Sequence, residues 1–365
     1  MNRRAFLKTG AGVSASAVLA GLPGVVRNAA AAGADSATWR AFEVITRAEI
    51  INPSGVSRTW LPMPLMPDTD YQRSLGYAWT GNTAATRIFR DEKYGAGIFY
   101  AEWPAGEAAP VVALVTRFAT RDRAVNLSAP GNAAPEDKGV LAKYTKGTQF
   151  VRTDGLVLKR SREITKGLST DLDKARAIYE WIVDNTFRDP KTRGCGLGDI
   201  RAMLETGYLG GKCADLNALY VGLARAAGIP ARDIYGVRVA DSAEYKSLGR
   251  RGDISKAQHC RAEFFLAGYG WVPVDPADVR KLVLEESGGL PLDDPRVKKA
   301  RVKLFGAWEM NWLAFNYAAD VKLPNSAGEP IAFFMYPQAE SAGKRRDSLD
   351  PDSFRYTMTS RELTT

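Results

Sequence analysis

The chain has 365 residues, 45% hydrophobic and 25% charged, with a formal net charge of +9, which describes a folded globular protein of about two domains. No apolar run reaches the ~18 residues of a membrane helix. The cations are interspersed with acids, as where Lys174 and Arg176 neighbour Asp171, Asp173 and Glu180, so no integral membrane segment in the mature chain and no nucleic-acid surface are expected.

The first 33 residues read as a signal peptide. "MNRRAFLK" carries Arg3 and Arg4, followed by a weakly hydrophobic Ala/Gly/Ser/Val stretch and the small-residue run "AAAAG". This resembles a twin-arginine (Tat) export signal, with a plain Sec signal as the alternative, and it implies a periplasmic or extracellular protein. Loss of Arg3, Arg4, Lys8 and Arg27 would bring the net charge to about +5.

Residues 38–126 are expected to form a β-sandwich-like domain. "FEVITRAEII", "TWLPMP", "AGIFYAEW" and "PVVALVTRFAT" are β-branched and aromatic, partly alternating, and bounded by Gly, Pro, Asn and Asp. Residues 127–159, with "LSAPGNAAPEDKG", read as a linker. From 160 to 285 the period becomes helical. "DLDKARAIYEWIVDNT" puts Ala177, Ile178, Trp181 and Ile182 on one face, and "LGDIRAMLETG" predicts a second helix. A third, over 214–227, carries Leu216, Leu219, Tyr220 and Leu223 and stops at Gly228 and Pro230. Strands follow in "RDIYGVRVA", "HCRAEFFLA" and "GWVPVD". Residues 286–365 are rich in aromatics and are expected to pack as an extension on the preceding core.

The chemistry centres on "GGKC" (210–213). A phosphate loop is excluded, because Walker A requires G-x-x-x-x-G-K-[ST], and here position 206 is Thr and the last residue Cys. A metal site would need Cys195, Cys213 and His259 without any C-x-x-C or H-x-x-x-H pair, so no metal and no organic cofactor are expected. Cys213 instead falls in the first turn of a helix, where free N–H groups and the helix dipole favour a thiolate. Gly210 and Gly211 would let a substrate backbone approach. An odd cysteine count (Cys195, Cys213, Cys260) leaves at least one thiol unpaired. His259 is the chain's only histidine, and a thiol nucleophile needs a base oriented by a third group. If "HCRAEFFLAGYGWVPVDP" is a hairpin with a loop at 266–270, Arg261 lies opposite Asp275, and His259 reaches Asp275 on the diagonal.

Four blocks stand in order: Gly-x-Cys at a helix start, "RAAGIPAR" at its end, His259 opening a strand, and "GWVPVDP" closing the hairpin. Together they resemble the core of the transglutaminase-like superfamily. The resemblance implies an α+β, papain-like core, preceded by the all-β sandwich-like domain, with Cys213 as nucleophile, His259 as base and Asp275 as orienter. It implies an amide-bond hydrolase or acyltransferase acting on a peptide or protein, hydrolysis being favoured over cross-linking because no acyl-acceptor site is marked. The papain-type glutamine six residues before the cysteine is Gly207 here, which leaves the second oxyanion donor unassigned. Cross-linking members of the superfamily use an upstream Trp instead, for which Trp181 and Tyr208 are the nearest candidates. The rival expectation is a non-catalytic binding protein on the same fold. Oligomeric state, and whether Cys195 pairs with Cys260, lies beside Cys213 or is simply buried, stay open.

Overall fold

A computed structural model describes residues 38–128 and 131–364; the expected export signal lies outside them. The predicted β-region is two antiparallel five-stranded sheets. One runs Gly252–Asp253, Phe354–Leu363, Arg40–Ile50, Val111–Thr120, Gln72–Gly81. The other runs Lys344–Arg346, Gln338–Ser341, Ser57–Pro62, Gly97–Trp103, Ala85–Arg90. In Val111–Thr120, Val112, Leu114, Thr116 and Phe118 are buried at alternate positions, as a half-covered strand requires. Leu61, Phe99, Trp103 and Leu114 fill the space between the sheets.

The fold is therefore mixed α and β, with a β-rich region ahead of the helical core. The sheets are not built from residues 38–126 alone, however. The last ten-residue strand lies along the first, from Ala41 opposite Leu363 to Ile50 opposite Phe354. The C-terminal extension thus completes both sheets as well as lying on the core. Its Trp312–Asn316 is an edge strand of the core's own sheet. The segment expected as a linker contains the helix Lys138–Lys143 and the start of Gly155–Ile164. It is seated on the hairpin turn, where Ala133 donates its N–H to the Gly268 carbonyl at 2.9 Å.

The core sheet is ordered Gly270–Val274, Gln258–Leu266, Ala231–Arg238, Trp312–Asn316. Against it lies the helix Cys213–Ala226, in which every residue from Cys213 to Arg225 is buried. A helix covered on all sides is a core helix, and here Gly155–Ile164, Asp171–Asn185 and Pro276–Glu285 surround it. Asp171–Asn185 turns a slightly different face inward from the one its periodicity predicted. Ala175, Ile178, Tyr179, Ile182 and Val183 are buried, while Trp181 sits at the margin beneath the Arg160 guanidinium.

Core and sandwich are joined by Val237, Leu313 and Phe315 meeting Phe42, Val44 and Phe118. A buried ionic group adds to this: Glu263 accepts from both Arg123 and Arg232. The Arg232 guanidinium lies 3.8 Å from the Trp271 ring centre and 3.9 Å from that of Tyr317.

Candidate active site

Cys213 is the first residue of its helix, with its N–H among those that have no intrahelical acceptor. The helix start is fixed by Asp215, whose carboxylate accepts the N–H of Lys212 at 2.9 Å, of Gly198 at 2.9 Å and of Leu197 at 3.0 Å. One side chain thereby ties the turn of Cys213 to the loop that carries Cys195. This also explains the neighbouring glycines. A Cβ on Gly196 (φ +96°) would stand 1.8 Å from the Asp215 carboxylate, and one on Gly211 would stand 2.6 Å from it. A Cβ on Gly210 would strike the Phe187 ring. Gly210 and Gly211 are needed for the chain's own packing, which is a different reason from the substrate approach their position suggested.

The hairpin has the expected register: Ala262 pairs with Val274 and Leu266 with Gly270, which sets Arg261 opposite Asp275. His259 Nε2 lies 2.7 Å from Asp275 Oδ2, so this nitrogen donates and Nδ1 is left for the thiol. Asp275 ends the strand and caps the helix Pro276–Glu285. Its other oxygen accepts the N–H of Asp278 at 3.1 Å and the Asn217 amide at 3.2 Å. Asn217 stands one turn after Cys213 and also donates to the Cys260 carbonyl at 2.9 Å, fastening the cysteine helix to the histidine strand. Trp312 Nε1 donates to the His259 carbonyl at 2.9 Å.

Asp278 went unrecognised in the sequence. Its carboxylate lies 3.4 Å from His259 Nε2 and 2.5 Å from Arg238. Its place three residues after Asp275 in "DPADVR" marks a helix start, and a capping carboxylate is all that the pattern signals. His259, Asp275 and Asp278 bring their donor atoms within 4.8 Å of one another. Arg238 and Arg261 already supply the compensating positive charge, and Asp275 is fully engaged by hydrogen bonds, so the donor set reads as an oriented imidazole rather than a metal centre.

The electrostatics separate thiol from imidazole. The Cys213 thiol is drawn well below its ordinary value, first by hydrogen bonding from Cys195, then from Cys260, and by His259, against the opposing effect of burial. Cys195 and Cys260 are correspondingly pushed up, Cys195 chiefly by its bond to Cys213 and Cys260 chiefly by burial. All three cysteines are free and buried. Cys195 lies beside Cys213, with the Gln258 carbonyl a competing acceptor at 3.3 Å. Cys260 reaches the same sulfur. For His259, burial and Arg238 act downward, but Asp278 and Asp275 outweigh them and leave the ring above its usual value. Burial, then the like charge of Asp278, lifts Asp275.

Cys213 and His259 line one cleft of ≈ 770 Å³. Cys195 stands in the wall between this cleft and an apolar cavity of ≈ 500 Å³ lined by Leu197, Met203, Tyr336 and Leu349. Gly207 ends the helix Ile200–Thr206 in the left-handed conformation (φ 71°). Tyr208 points outward and bonds Asp189 at 3.1 Å.

The family model for the transglutaminase-like superfamily matches residues 159–276, the stretch that holds all three predicted side chains. Over 341 residues the chain is 37% identical to an uncharacterized protein of Haemophilus influenzae, covering 88% of this chain and 91% of that one. The chain belongs to the transglutaminase-like superfamily. A crystal structure from Cytophaga hutchinsonii, of a protein named only as a candidate cysteine protease, superposes with a TM-score of 0.57. It covers 90% of this chain and 92% of that one at 13% identity, a likeness of fold. In this transglutaminase-like chain the family match ends one residue beyond Asp275 and stops short of Asp278.

Proposed function

We propose that this protein is an exported thiol-dependent amide hydrolase or acyltransferase that uses Cys213, His259 and Asp275. One observation carries the reading: a thiol drawn down toward the thiolate and an imidazole held by two carboxylates meet in one cleft. The Cys213 thiolate attacks the amide carbonyl carbon, forming the C–S bond while the π electrons move to oxygen, with the Cys213 N–H at the helix start as one oxyanion donor. Collapse breaks the C–N bond, and the amine leaves with the proton His259 took from the thiol. Water attacks the thioester and gives its proton to His259. The C–S bond breaks, the carboxylic acid departs and the thiol is restored. An amine in place of water yields a transferred acyl group, and hydrolysis is favoured because no acceptor site is marked. Asp275 holds the ring so that Nδ1 faces sulfur. Export is supported by the paired arginines of the first 33 residues.

The test is alkylation by iodoacetamide from pH 4 to 9, mapped by mass spectrometry, with Cys213→Ser and His259→Ala as controls. Cys213 should react well below the ~8.5 of a free thiol. The rate should rise as the thiol ionises, then change as His259 loses its proton above its raised value. A Cys213 no faster than a free thiol would sink the catalytic assignment and favour a non-catalytic binding protein.

A further inference from the structure

The walls of the Cys213 cleft are strongly unequal in charge. Seven lysine or arginine side chains line it against two carboxylates, Glu285 and Glu286. Both carboxylates are occupied: Glu285 is paired with Arg188 and Lys281, and Glu286 accepts the N–H of Ser247 at 2.8 Å. Arg238 is taken by Asp278. That leaves Lys212, Lys246, Arg250 and Lys256, none of which forms an ion pair among the described residues.

All four line the cleft. Lys212 immediately precedes the nucleophile, and its Nζ donates to the Thr192 carbonyl at 2.7 Å, a neutral partner that fixes the ammonium without cancelling it. The other three are exposed and come from the single connection between the strands Ala231–Arg238 and Gln258–Leu266. Arg250 is braced by the Asp253 carbonyl at 2.9 Å. The Asp253 carboxylate is turned to Ser255 instead, accepting its N–H at 3.0 Å and its hydroxyl at 2.6 Å. Lys281, inside the cleft, is drawn below its ordinary value first by burial and then by the like charge of Arg238, so a further cation there is unfavourable.

Other surface cations are answered in part, as Arg201 is by Glu205, Arg301 by Glu180 and Asp184, and Lys299 and Lys303 by Glu244; what sets the cleft apart is that four unpaired cations line one concave site beside Cys213. A cleft lined by one sign of charge focuses the field at its mouth and concentrates the opposite charge there. We propose that the cleft selects acidic peptides, with carboxylates flanking the amide that meets Cys213 bound by Lys212, Lys246, Arg250 and Lys256. This rests on the thiol–amide reading of the site and names its substrate class. The carboxylates of such a peptide supply the partners these four cations lack, and a peptide bearing lysines meets repulsion from both walls.

The test uses the full chain carrying Cys213→Ser, so that binding is read without turnover. A set of dansylated pentapeptides with two glutamates is titrated against the same set with two lysines, followed by fluorescence. The acidic set should bind at least about tenfold more tightly. The preference should shrink as salt shortens the Debye length from about 10 Å at 0.1 M to about 3 Å at 1 M. The triple variant Lys246→Glu, Arg250→Glu, Lys256→Glu changes only exposed side chains and should abolish or invert it. Equal binding of the two sets, or a preference that survives the triple variant, overturns the proposal. Neither outcome depends on the alkylation of Cys213, so this proposal and the catalytic one fail separately.

Discussion

The strand Gln258–Leu266 carries a buried charge cluster near each end, and the two are built from the same materials. Near its far end, one carboxylate, Glu263, is met by two arginines, Arg123 and Arg232, and enclosed by aromatic rings. At its start, two carboxylates, Asp275 and Asp278, are met by Arg238 and Arg261, and a titratable ring is set among them. In the first cluster the arginines hold Glu263 below its usual value against burial, and no group is left to change charge near neutrality. The second contains one imidazole in a cleft shared with a thiol. Equal burial therefore produces a staple in one place and, four residues away, a cluster that keeps a titratable ring, and the difference lies in whether the charges are saturated.

The largest effect should come from breaking the staple. Glu263→Gln leaves two buried arginines without their carboxylate and should cost about 3–5 kcal/mol, read as a lowered urea midpoint. The pH profile of Cys213 alkylation in the remaining folded protein should not move. A shift there would mean that the two clusters are coupled and the contrast is wrong.

A middle-sized effect tests an unsaturated acid on the adjacent strand. Asp233 is buried with one oxygen lacking a partner, and burial raises it to about 7, with Arg225 only partly opposing. Its folded value lies above the unfolded ~3.9, so its neutral form favours folding, and stability falls as pH rises from about 4 to about 7. Asp233→Asn should remove that loss and gain about 1–3 kcal/mol at pH 8 but little at pH 4, measured by denaturation at both.

The smallest effect sharpens the role of Asp278. Asp278→Asn removes the foremost influence raising His259. The ring should lose its proton at lower pH, and Cys213 alkylation at pH 8 should slow by about tenfold or less. An unchanged profile would assign Asp278 to holding Arg238 alone.

Much of this site was legible in the sequence because its parts are local. A helix start, a strand start and a short hairpin fix Cys213, His259 and Asp275, and the register follows from the turn. Asn217 was also within reach, being four residues after Cys213 on the same helix. What escaped depends on distant pairing or on exposure. Gln72–Gly81 was missed because after Gln72 it has no buried face to impose alternation, with Leu75, Tyr77 and Trp79 exposed at the sheet edge. Phe354–Leu363 was missed as a partner of Arg40–Ile50 because nothing local specifies a pairing across almost the whole chain. Asp278 was hidden by its resemblance to an ordinary capping residue.

That last pairing bears on how the protein is made. Ile50 meets Phe354 and Ala41 meets Leu363, so the strand Arg40–Ile50 waits for a partner that is synthesised much later. The core's sheet likewise waits for Trp312–Asn316. Contacts of such long range form late and slowly. Neither β-layer closes before Gln338–Ser341 and Phe354–Leu363 have been made, and a chain released before that would expose an open sheet edge of the kind that aggregates or invites proteolysis.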